Sequence, residues 1–290
     1  MTLDLTKPSA VAALLKKHDL RPSKGLGQNF LVDKRTLERI VDAAAVGETD
    51  TCLEIGPGLG TLTRELSLCC KQVIAIEKDR KLTPVLAESL AGRNNVKLVW
   101  GDALHEDVAA LLSPYPAPYK VVANLPYYIT TPILMALLES GLAWDRLVFL
   151  VQKEVAERIA AKAQSDAYGA LSVAVAYYAA AEIVAHVPPA AFFPPPKVSS
   201  TILLLKAIQD PATHHGVSDR KAFFATVKAA FGQRRKTLLN ALSAGSINVG
   251  KDELRQIIAG LGLREDIRGE ALALADRSEE HTSELQSRHN

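Results

Sequence analysis

The sequence has few cysteines, the residues that build disulfide frameworks and many zinc sites. Only 3 of its 290 residues are cysteines, and they stand at positions 52, 69 and 70. These spacings match neither a disulfide framework nor a set of zinc ligands. We therefore expect no bound metal, and a reducing compartment, the cytoplasm, as the location of the protein.

An excess of charge of one sign is also missing. The chain has 34 Lys+Arg against 32 Asp+Glu, a formal net charge of +2, and 48% of it is hydrophobic. A balance this even, with so much apolar content, excludes an intrinsically disordered chain. A net charge this small also excludes a chain that is basic over its whole surface, so any nucleic-acid-binding surface must be a local basic patch.

Segments typical of export or membrane insertion are absent as well. The first apolar run, Ala10–Leu15, is short and has no small-residue cleavage site after it. The longest apolar stretch, Ala170–Val187, contains Glu182 and divides into a helical half and a strand half. A membrane span needs about 20 apolar residues, so we expect a buried helix here and no membrane partner.

The last residues differ from the rest of the chain. Residues 277–287 read RSEEHTSELQS, and their back-translation resembles a common sequencing-library adapter. We expect residues 277–290 to be an adapter-like, non-native tail without function.

Apolar runs alternate with amphipathic stretches through most of the chain, which predicts a parallel sheet covered by helices on both faces. The predicted strands are Cys52–Ile55, Val73–Glu77, Val96–Val99, Lys120–Ala123, Leu147–Val151, Glu182–Val187 and Thr201–Lys206. Beyond them the pattern predicts helices over 220–230, 233–243 and 251–261. We therefore expect an α/β domain over residues 1–208 and a small all-helical domain over 209–276.

Four polar or glycine-rich sites follow successive predicted strands. A Gly56-Pro-Gly58-Leu-Gly60 turn follows the first, Glu77 ends the second, Gly101-Asp102 follows the third, and Asn124 follows the fourth. Open α/β sheets bind ligands at the carboxyl ends of their strands, where an acidic residue can accept hydrogen bonds from ribose hydroxyls. The arrangement favours a nucleoside-containing cofactor over a purely structural turn.

The form of the glycine turn narrows the choice of cofactor. It lacks the Gly-Lys-Ser/Thr ending of a phosphate-binding loop and departs from the G-x-G-x-x-G dinucleotide fingerprint. The pattern E-x-G-x-G-x-G, which begins at Glu54, instead resembles the S-adenosyl-L-methionine site of Rossmann-like methyltransferases.

The tetrapeptide Asn124-Leu125-Pro126-Tyr127 has the groups needed to methylate an exocyclic amine. The lone pair of such an amine is delocalised into the base, so acceptors must hold its N–H groups and turn the lone pair toward the methyl group. The Asn124 side chain and the Leu125 carbonyl are suitable acceptors, and proline has no N–H to compete. Tyr127 can stack on an extruded base.

Taken together, the motifs resemble the small-subunit ribosomal RNA adenine dimethyltransferase family, that of the kasugamycin-resistance enzymes. The resemblance covers the chain from about Arg21 to Ala275. The matching stretches are Gly25–Asp33, Leu53–Thr63, Ala75–Asp79, Gly101–Leu104, Asn124–Leu134, Gln152–Ile159, Tyr168–Val173, Phe192–Val198 and Phe231–Leu242.

This resemblance implies a monomeric enzyme that dimethylates N6 of two adjacent adenosines in the 3′-terminal hairpin loop of 16S rRNA. The small ribosomal subunit is then the partner, with a role in its biogenesis. We expect no DNA substrate, because the chain has no room for a large target-recognition domain. Tyr127 and Phe192 would sandwich the base, which is an exposed loop base of the kind that proteins read in RNA. The implied cofactor contacts are Asn29, Leu31, Gly56, Glu77, Asp102 and Asn124.

The chain departs from the family pattern at Ser199, where an Asp is common, and Phe193 adds a second aromatic ring beside Phe192. The Gln233–Lys236 run interrupts an apolar helical stripe just after Gly232 and is interpreted as a contact to RNA phosphates rather than a solvated helix face. The candidate RNA-binding residues are Arg234, Arg235, Lys236, Lys197 and Arg158.

Two other functions stay open at this point. A related macrolide-resistance enzyme would methylate an adenine of the large-subunit rRNA, although the Tyr168–Val173 and Phe192–Val198 stretches favour the small-subunit family. A non-catalytic ribosome-assembly factor would keep the fold without turnover, although the intact Asn124–Tyr127 tetrapeptide argues against that.

Overall fold

The computed structural model describes residues 4–23, 25–233, 235–245, 247 and 249–274. The chain forms two compact units: Met1–Ala156 with Ala181–Ala207, and Glu157–Ala180 with Ile208–Asn290. The second unit thus includes a segment, Glu157–Ala180, that the sequence-based division at residue 208 assigned to the first domain. The adapter-like tail over 277–290 and Arg234 lie outside the described residues. The division at residue 208 and the non-native origin of the tail stay predictions.

The first unit contains most of the strands and the second most of the later helices. The strands are β1 (Phe30–Leu31), β2 (Thr51–Ile55), β3 (Gln72–Glu77), β4 (Val96–Trp100), β5 (Tyr119–Asn124), β6 (Trp144–Gln152), β7 (Ala179–Val187), β8 (Phe192–Phe193) and β9 (Ser200–Ala207). The helices are α1 (Pro8–Lys17), α2 (Lys34–Ala44), α3 (Thr61–Cys69), α4 (Thr83–Ser89), α5 (Val108–Leu112), α6 (Thr130–Glu139), α7 (Lys153–Ile159), α8 (Ala170–Tyr178), α9 (Pro211–His214), α10 (Arg220–Gly232), α11 (Leu238–Ser243) and α12 (Lys251–Gly260).

Seven strands form one sheet in the order β4-β3-β2-β5-β6-β9-β7. The strands from β4 to β6 pair in parallel, as the alternating pattern predicts. The expectation of a parallel sheet is wrong for β9, which pairs antiparallel with β6, because no crossover helix separates it from β7. The parallel part brings the carboxyl ends of β2, β3, β4 and β5 to one edge of the sheet.

Both faces of the sheet are buried along the central strands β2, β3, β5 and β6, which explains the near-continuous apolar character of these strands. Leu37 and Ile40 of α2 and Leu66 of α3 pack with Cys52 and Val122 on one face. Side chains that point to the other face of the sheet are also fully buried, among them Leu53, Ile74, Val121 and Phe149. The expected α/β fold with helices on both faces is confirmed.

A small second sheet ties the N-terminal segment to the chain before β9. β1 and β8 pair antiparallel, with Phe30 opposite Phe193 and Leu31 opposite Phe192. Strands of two residues have no readable periodicity, so the sequence did not predict them. This pairing fixes the backbone just after Asn29, a predicted cofactor contact.

A buried lysine joins three elements at the opposite edge of the sheet. Lys120 of β5 is only 7% exposed and donates to the Ala45 carbonyl at the end of α2. It also donates to the Asp50 carboxylate at 2.7 Å, and Asp145 lies 3.5 Å from it. This cluster holds α2, β2 and β5 together at the edge away from the strand ends described above.

The second unit is built around aromatic side chains in its described part. Tyr177 of α8 stacks on Phe223 of α10 with ring centroids 5.2 Å apart, and the Tyr168 hydroxyl donates to the Leu272 carbonyl. The predicted helix over 233–243 begins later, at Leu238, because the Thr237 side chain caps it. Arg235 and Lys236 therefore lie in the connection between α10 and α11 and are exposed.

The helices of the described residues are all too short or too polar to cross a bilayer.

Candidate functional site

The carboxyl ends of β2, β3, β4 and β5 enclose a cleft in the first unit. Its lining includes Gly56 after β2, Glu77 of β3, Asp102 after β4 and Asn124 of β5. The N-terminal segment from Leu26 to Phe30 lines it from the other side. The four strand-end sites that the sequence predicts are thus brought together in one place.

The glycine turn shapes the floor of this cleft. Gly56 and Gly58 have φ angles of +70° and +59°, which L side chains rarely adopt. A Cβ on Gly58 would meet the Phe30 ring at 3.2 Å, whereas a Cβ on Gly56 would meet nothing closer than the Asn124 carbonyl oxygen at 4.0 Å. A side chain at Gly56 would therefore occupy the cleft itself, which is where a ligand must approach the backbone closely.

Glu77 is held rigidly at the end of β3. Its Oε2 accepts from the Gly58 amide at 3.0 Å and its Oε1 from the Asp79 amide at 2.7 Å. The residue is 6% exposed, and burial raises the pKa of the carboxyl although both amides lower it. Each oxygen keeps a second lone pair, so the carboxylate can also accept from a vicinal diol such as that of a ribose.

Asp102 presents a second carboxylate beside it. Its Oδ2 accepts from Lys78 Nζ at 2.7 Å and its Oδ1 from the Leu104 amide at 3.1 Å. The hydrogen bond from Lys78 lowers the pKa of Asp102, which keeps the group ionised at neutral pH. An ionised acceptor at this position suits an exocyclic amine of a bound base.

Asn124 has a defined amide orientation. Its Nδ2 donates to the Asn29 carbonyl at 3.0 Å, and a carbonyl oxygen can only accept, so the amide nitrogen must face Asn29. The Asn124 Oδ1 consequently faces away from that carbonyl, on the other side of the amide. The side chain is thereby set as an acceptor at the edge of the cleft.

Tyr127 is the ring of the predicted tetrapeptide that lines the cleft, together with Leu125 and Pro126. Its hydroxyl and the Ser200 hydroxyl lie 2.9 Å apart, and burial raises the pKa of the tyrosine. Ser200 is fully buried at the start of β9. The antiparallel strand β9 therefore fixes the tip of the aromatic ring.

Two of the predicted site residues lie elsewhere. Leu31 and Phe192 are each 4% exposed and pack in the core cluster of the first unit, and neither is among the described residues that line the cleft. Phe30, the neighbour of Leu31, lines it instead. In this conformation Tyr127 lines the cleft. The cofactor contact of Leu31 and the sandwiching role of Phe192 both stay predictions.

A model of the family described as ribosomal RNA adenine dimethylase matches residues 20–266. The chain belongs to this family. Ribosomal RNA adenine dimethylases depend on S-adenosylmethionine, so the predicted enzyme class and cofactor are confirmed.

Curated relatives cover nearly the whole chain. A ribosomal RNA small subunit methyltransferase A from Moorella thermoacetica is 48% identical over 276 residues, 93% of this chain and 94% of its own length. The enzyme of that name from Alkaliphilus metalliredigens is 44% identical over 274 residues, 94% of this chain and 95% of its own.

Solved structures of dimethylase relatives share the fold. A dimethyladenosine transferase from Plasmodium falciparum superposes with a TM-score of 0.72 at 26% identity, covering 85% of this chain and 94% of its own. The 23S rRNA methyltransferase ErmE superposes with a TM-score of 0.68 at 26% identity, covering 86% and 96%.

The cleft of this dimethylase fits S-adenosylmethionine. Gly56 leaves space that a Cβ would fill, Glu77 is placed for the ribose, and Asp102 is an ionised acceptor for the adenine amine. Apolar side chains, Ile55 and Ile76 among them, line the cleft between these polar groups. No group of metal-ligating side chains is found in the described part of the chain.

Sequence reasoning missed several residues around this site. Gln28 donates from Nε2 to Asp79 Oδ2 at 2.8 Å, and Lys78 pairs with Asp102. Tyr128 lines the cleft and is 59% exposed. Gln28 lies within the Gly25–Asp33 stretch and Asp79 two residues after Glu77, but nothing in the sequence indicates that the two meet.

A buried carboxyl lies beneath the glycine turn. Glu54 is 1% exposed, and its Oε2 has no hydrogen-bond partner among the described residues. Burial raises the pKa of Glu54 to about 8, although the Thr63 hydroxyl lowers it. The group is therefore largely protonated at neutral pH in the folded protein.

This shift predicts a pH-dependent stability that Glu54→Gln removes. A carboxyl whose pKa is higher in the folded state favours folding below its unfolded pKa, and this contribution is lost as pH rises toward 8. Glu54→Gln mimics the protonated form, so its free energy of unfolding should match that of the wild type near pH 4, below the unfolded pKa of a glutamate, and exceed it by about 4–5 kcal/mol at pH 9. Denaturant unfolding of both proteins across this range measures the difference, and a difference that does not change with pH contradicts the assignment.

Proposed function

We propose that this protein dimethylates N6 of two adjacent adenosines in the 3′-terminal hairpin loop of 16S rRNA. The observation that carries the proposal is the position of Asn124, whose amide is oriented by Asn29 at the edge of a cleft that fits S-adenosylmethionine. The small-subunit target is supported by the names of the curated relatives at 44% and 48% identity. We place the activity in the cytoplasm, with the enzyme as a monomer and small-subunit biogenesis as its setting.

Methyl transfer to N6 depends more on the orientation of the amine than on a strong base that removes its proton. When bound, S-adenosylmethionine supplies an electrophilic sulfonium methyl that the N6 lone pair takes while the sulfur leaves with the bonding electrons. The Asn124 Oδ1 and the Leu125 carbonyl accept the N–H groups of the amine and turn its lone pair toward that methyl. One proton leaves N6 with each methyl added, and preorganised acceptors of this kind lower the barrier by stabilising the developing positive charge on nitrogen.

The target base must leave its stack to reach this edge. Tyr127 is placed to stack on it, with its ring held through the Ser200 hydroxyl. Such extrusion costs least for an unpaired loop base, which agrees with a hairpin-loop substrate rather than duplex DNA.

Exposed basic residues lie in both units. In the first unit, the Lys153 amide donates to the Ser199 carbonyl at the start of β9, which places Lys153 at the strand end that also holds Ser200. Lys197 lies three residues before Ser200 and is exposed. In the second unit, Arg158, Arg235 and Lys236 are exposed. These positions support contacts to RNA phosphates.

Removal of the basic run should weaken RNA binding through electrostatics alone. The triple variant Arg234→Ala, Arg235→Ala, Lys236→Ala should reduce the slope of log K against log salt concentration by about 2 to 3 in magnitude. Each phosphate contact that is lost no longer releases its counterions on binding. Binding to small ribosomal subunits at several salt concentrations measures this slope. Lys251→Ala, an exposed lysine of α12, serves as the control. An unchanged slope in the triple variant would show that these residues are solvated and do not contact RNA phosphates.

Complementation tests the proposed target in cells. A strain that lacks the dimethylation of its 16S rRNA loop should regain it when this chain is expressed, and reverse transcription should then stop at both adjacent adenosines. Stops in the 23S rRNA instead would favour the large-subunit alternative, and growth rescue without stops would favour the assembly factor.

A further inference from the structure

A short N-terminal segment bridges two strand ends across the cleft. This segment, Gly25–Asn29, is called the strap here, and four of its residues line the cleft. Gln28 bonds to Asp79 after β3, and the Asn29 carbonyl accepts from Asn124 of β5. Because β2 lies between β3 and β5 in the sheet, the strap joins the strands on either side of the glycine turn.

The fastening at β3 depends on one amide group. The Gln28 Oε1 accepts from the Ser23 amide at 2.7 Å, so its Nε2 must face the opposite way. There it donates to Asp79 Oδ2 at 2.8 Å. Asp79 Oδ1 is already used by the Lys81 amide, so each polar atom of the pair has a distinct partner.

Asp79 connects this fastening to the cofactor carboxylate. Its amide donates to Glu77 Oε1 at 2.7 Å, while Glu77 Oε2 accepts from Gly58. An unbroken series of hydrogen bonds therefore runs from Gln28 through Asp79 and Glu77 to the glycine turn. This series connects Gln28 to the carboxylate that is placed for the ribose.

The other end of the strap, Asn29, orients the Asn124 side chain that accepts from the target amine. The Asn29 side chain donates to the Gly27 carbonyl at 3.1 Å, which holds the strap backbone in a tight bend. The Asn29 carbonyl in turn fixes the Asn124 amide. The same five residues thus reach both the cofactor side and the amine side of the cleft.

We propose that Gln28 is a positioning residue: its hydrogen bond to Asp79 fastens the strap, and the fastened strap orients Glu77 for the cofactor and Asn124 for the amine. The Asn124 half of this proposal rests on the proposed methyl transfer. The Glu77 half requires only that the cofactor binds.

The test uses a pair of substitutions that break and then remake the bond. Gln28→Glu places a carboxylate against Asp79 and should repel it. Adding Asp79→Asn restores a donor, because the amide nitrogen of the introduced asparagine can donate to one oxygen of the new carboxylate while the other still accepts from Ser23. Gln28→Ala removes the bond without adding charge, and Gln72→Ala, at the far end of β3 with its Nε2 on the Val73 carbonyl, is the matched control.

Equilibrium binding of S-adenosylmethionine to the full chain, without RNA, is the first readout. Loss of one hydrogen bond should raise the Kd about fivefold in Gln28→Ala, and repulsion should raise it about thirtyfold in Gln28→Glu. The double variant should return to within about threefold of the wild type, with Gln72→Ala within about twofold. Because this assay contains no RNA, it gives the same answer whichever rRNA is the target.

Hydrogen exchange of the strap amides in the cofactor-free protein is the second readout. Exchange should be faster in Gln28→Glu and slow again in the double variant, while the melting temperatures of all variants stay within about 3 °C of the wild type. A Kd within about twofold of the wild type for both single variants would overturn the proposal. A double variant that binds no more tightly than Gln28→Glu would overturn it as well.

Discussion

Asn124→Ala should reduce methyl transfer by at least a hundredfold while binding of small ribosomal subunits stays unchanged. The Asn124 Oδ1 is the side-chain acceptor that the account assigns to the target amine, and the Asn29 carbonyl fixes its direction. Loss of one preorganised hydrogen-bonding group at a reacting centre typically costs about 10²–10³ in kcat. The alanine variant loses this acceptor but keeps the exposed basic residues that we propose contact the RNA.

Single-turnover methyl transfer at saturating subunit and cofactor concentrations measures this effect directly. Asn94→Ala is the matched control, since Asn94 is an exposed asparagine before β4 and away from the strand ends. Asn124→Asp should also be slow, because it puts a carboxylate oxygen against the Asn29 carbonyl. If Asn124→Ala keeps more than a tenth of the wild-type rate, the orienting role is refuted.

Lys120→Met should lower the free energy of unfolding by about 3 kcal/mol. Removal of one partner of a buried ion pair leaves the other charge poorly compensated, and such changes typically cost about 3–5 kcal/mol. Asp50 would lose its bond from Lys120 but keep the one from the Gly47 amide, which favours the lower end of that range. Methionine preserves most of the side-chain volume, so the loss reports on charge rather than on a cavity.

Urea unfolding of Lys120→Met and Lys71→Met measures the difference. Lys71 is exposed beside the same cluster, so its substitution should change stability by less than about 0.5 kcal/mol. The double variant Lys120→Met, Asp50→Asn should be more stable than Lys120→Met alone, because the charge on Asp50 is then removed as well. Equal losses at the two lysines would show that the buried cluster has no special role.

The sequence predicts those parts of the sheet whose strands can be recognised from a short run of neighbouring residues. Runs such as Val73–Glu77 and Lys120–Ala123 are buried on both faces, so their apolar character shows directly which segments are strands. The acidic and amide residues at the ends of these runs then come together because parallel strands end at one edge. For this reason the sequence alone predicts that Glu77, Asp102 and Asn124 lie in one cleft.

Long-range pairings could not be predicted in the same way. The match of Phe30 with Phe193 joins two-residue strands, and the bond between Gln28 and Asp79 joins residues 51 positions apart. Neither leaves a periodic trace in the sequence. Such long-range pairings also determine the antiparallel direction of β9 and the burial of Leu31 and Phe192. These features therefore could not be predicted from the sequence.

Hydrogen bonds hold the polar side chains of the site in defined orientations. Glu77, Asp102 and Asn124 are each fixed by at least one backbone or side-chain partner. A group that is already oriented loses little further freedom when it binds its target, which favours reaction over mere binding.

Transfer of labelled methyl from S-adenosylmethionine to isolated ribosomal subunits tests the central claim most directly. The substrates are small subunits that lack the loop dimethylation, with large subunits and duplex DNA as controls. The account predicts label on the small subunit alone, close to four methyl groups per particle, recovered as N6,N6-dimethyladenosine. Label on the large subunit, or no label in a preparation that still binds small subunits, would contradict it.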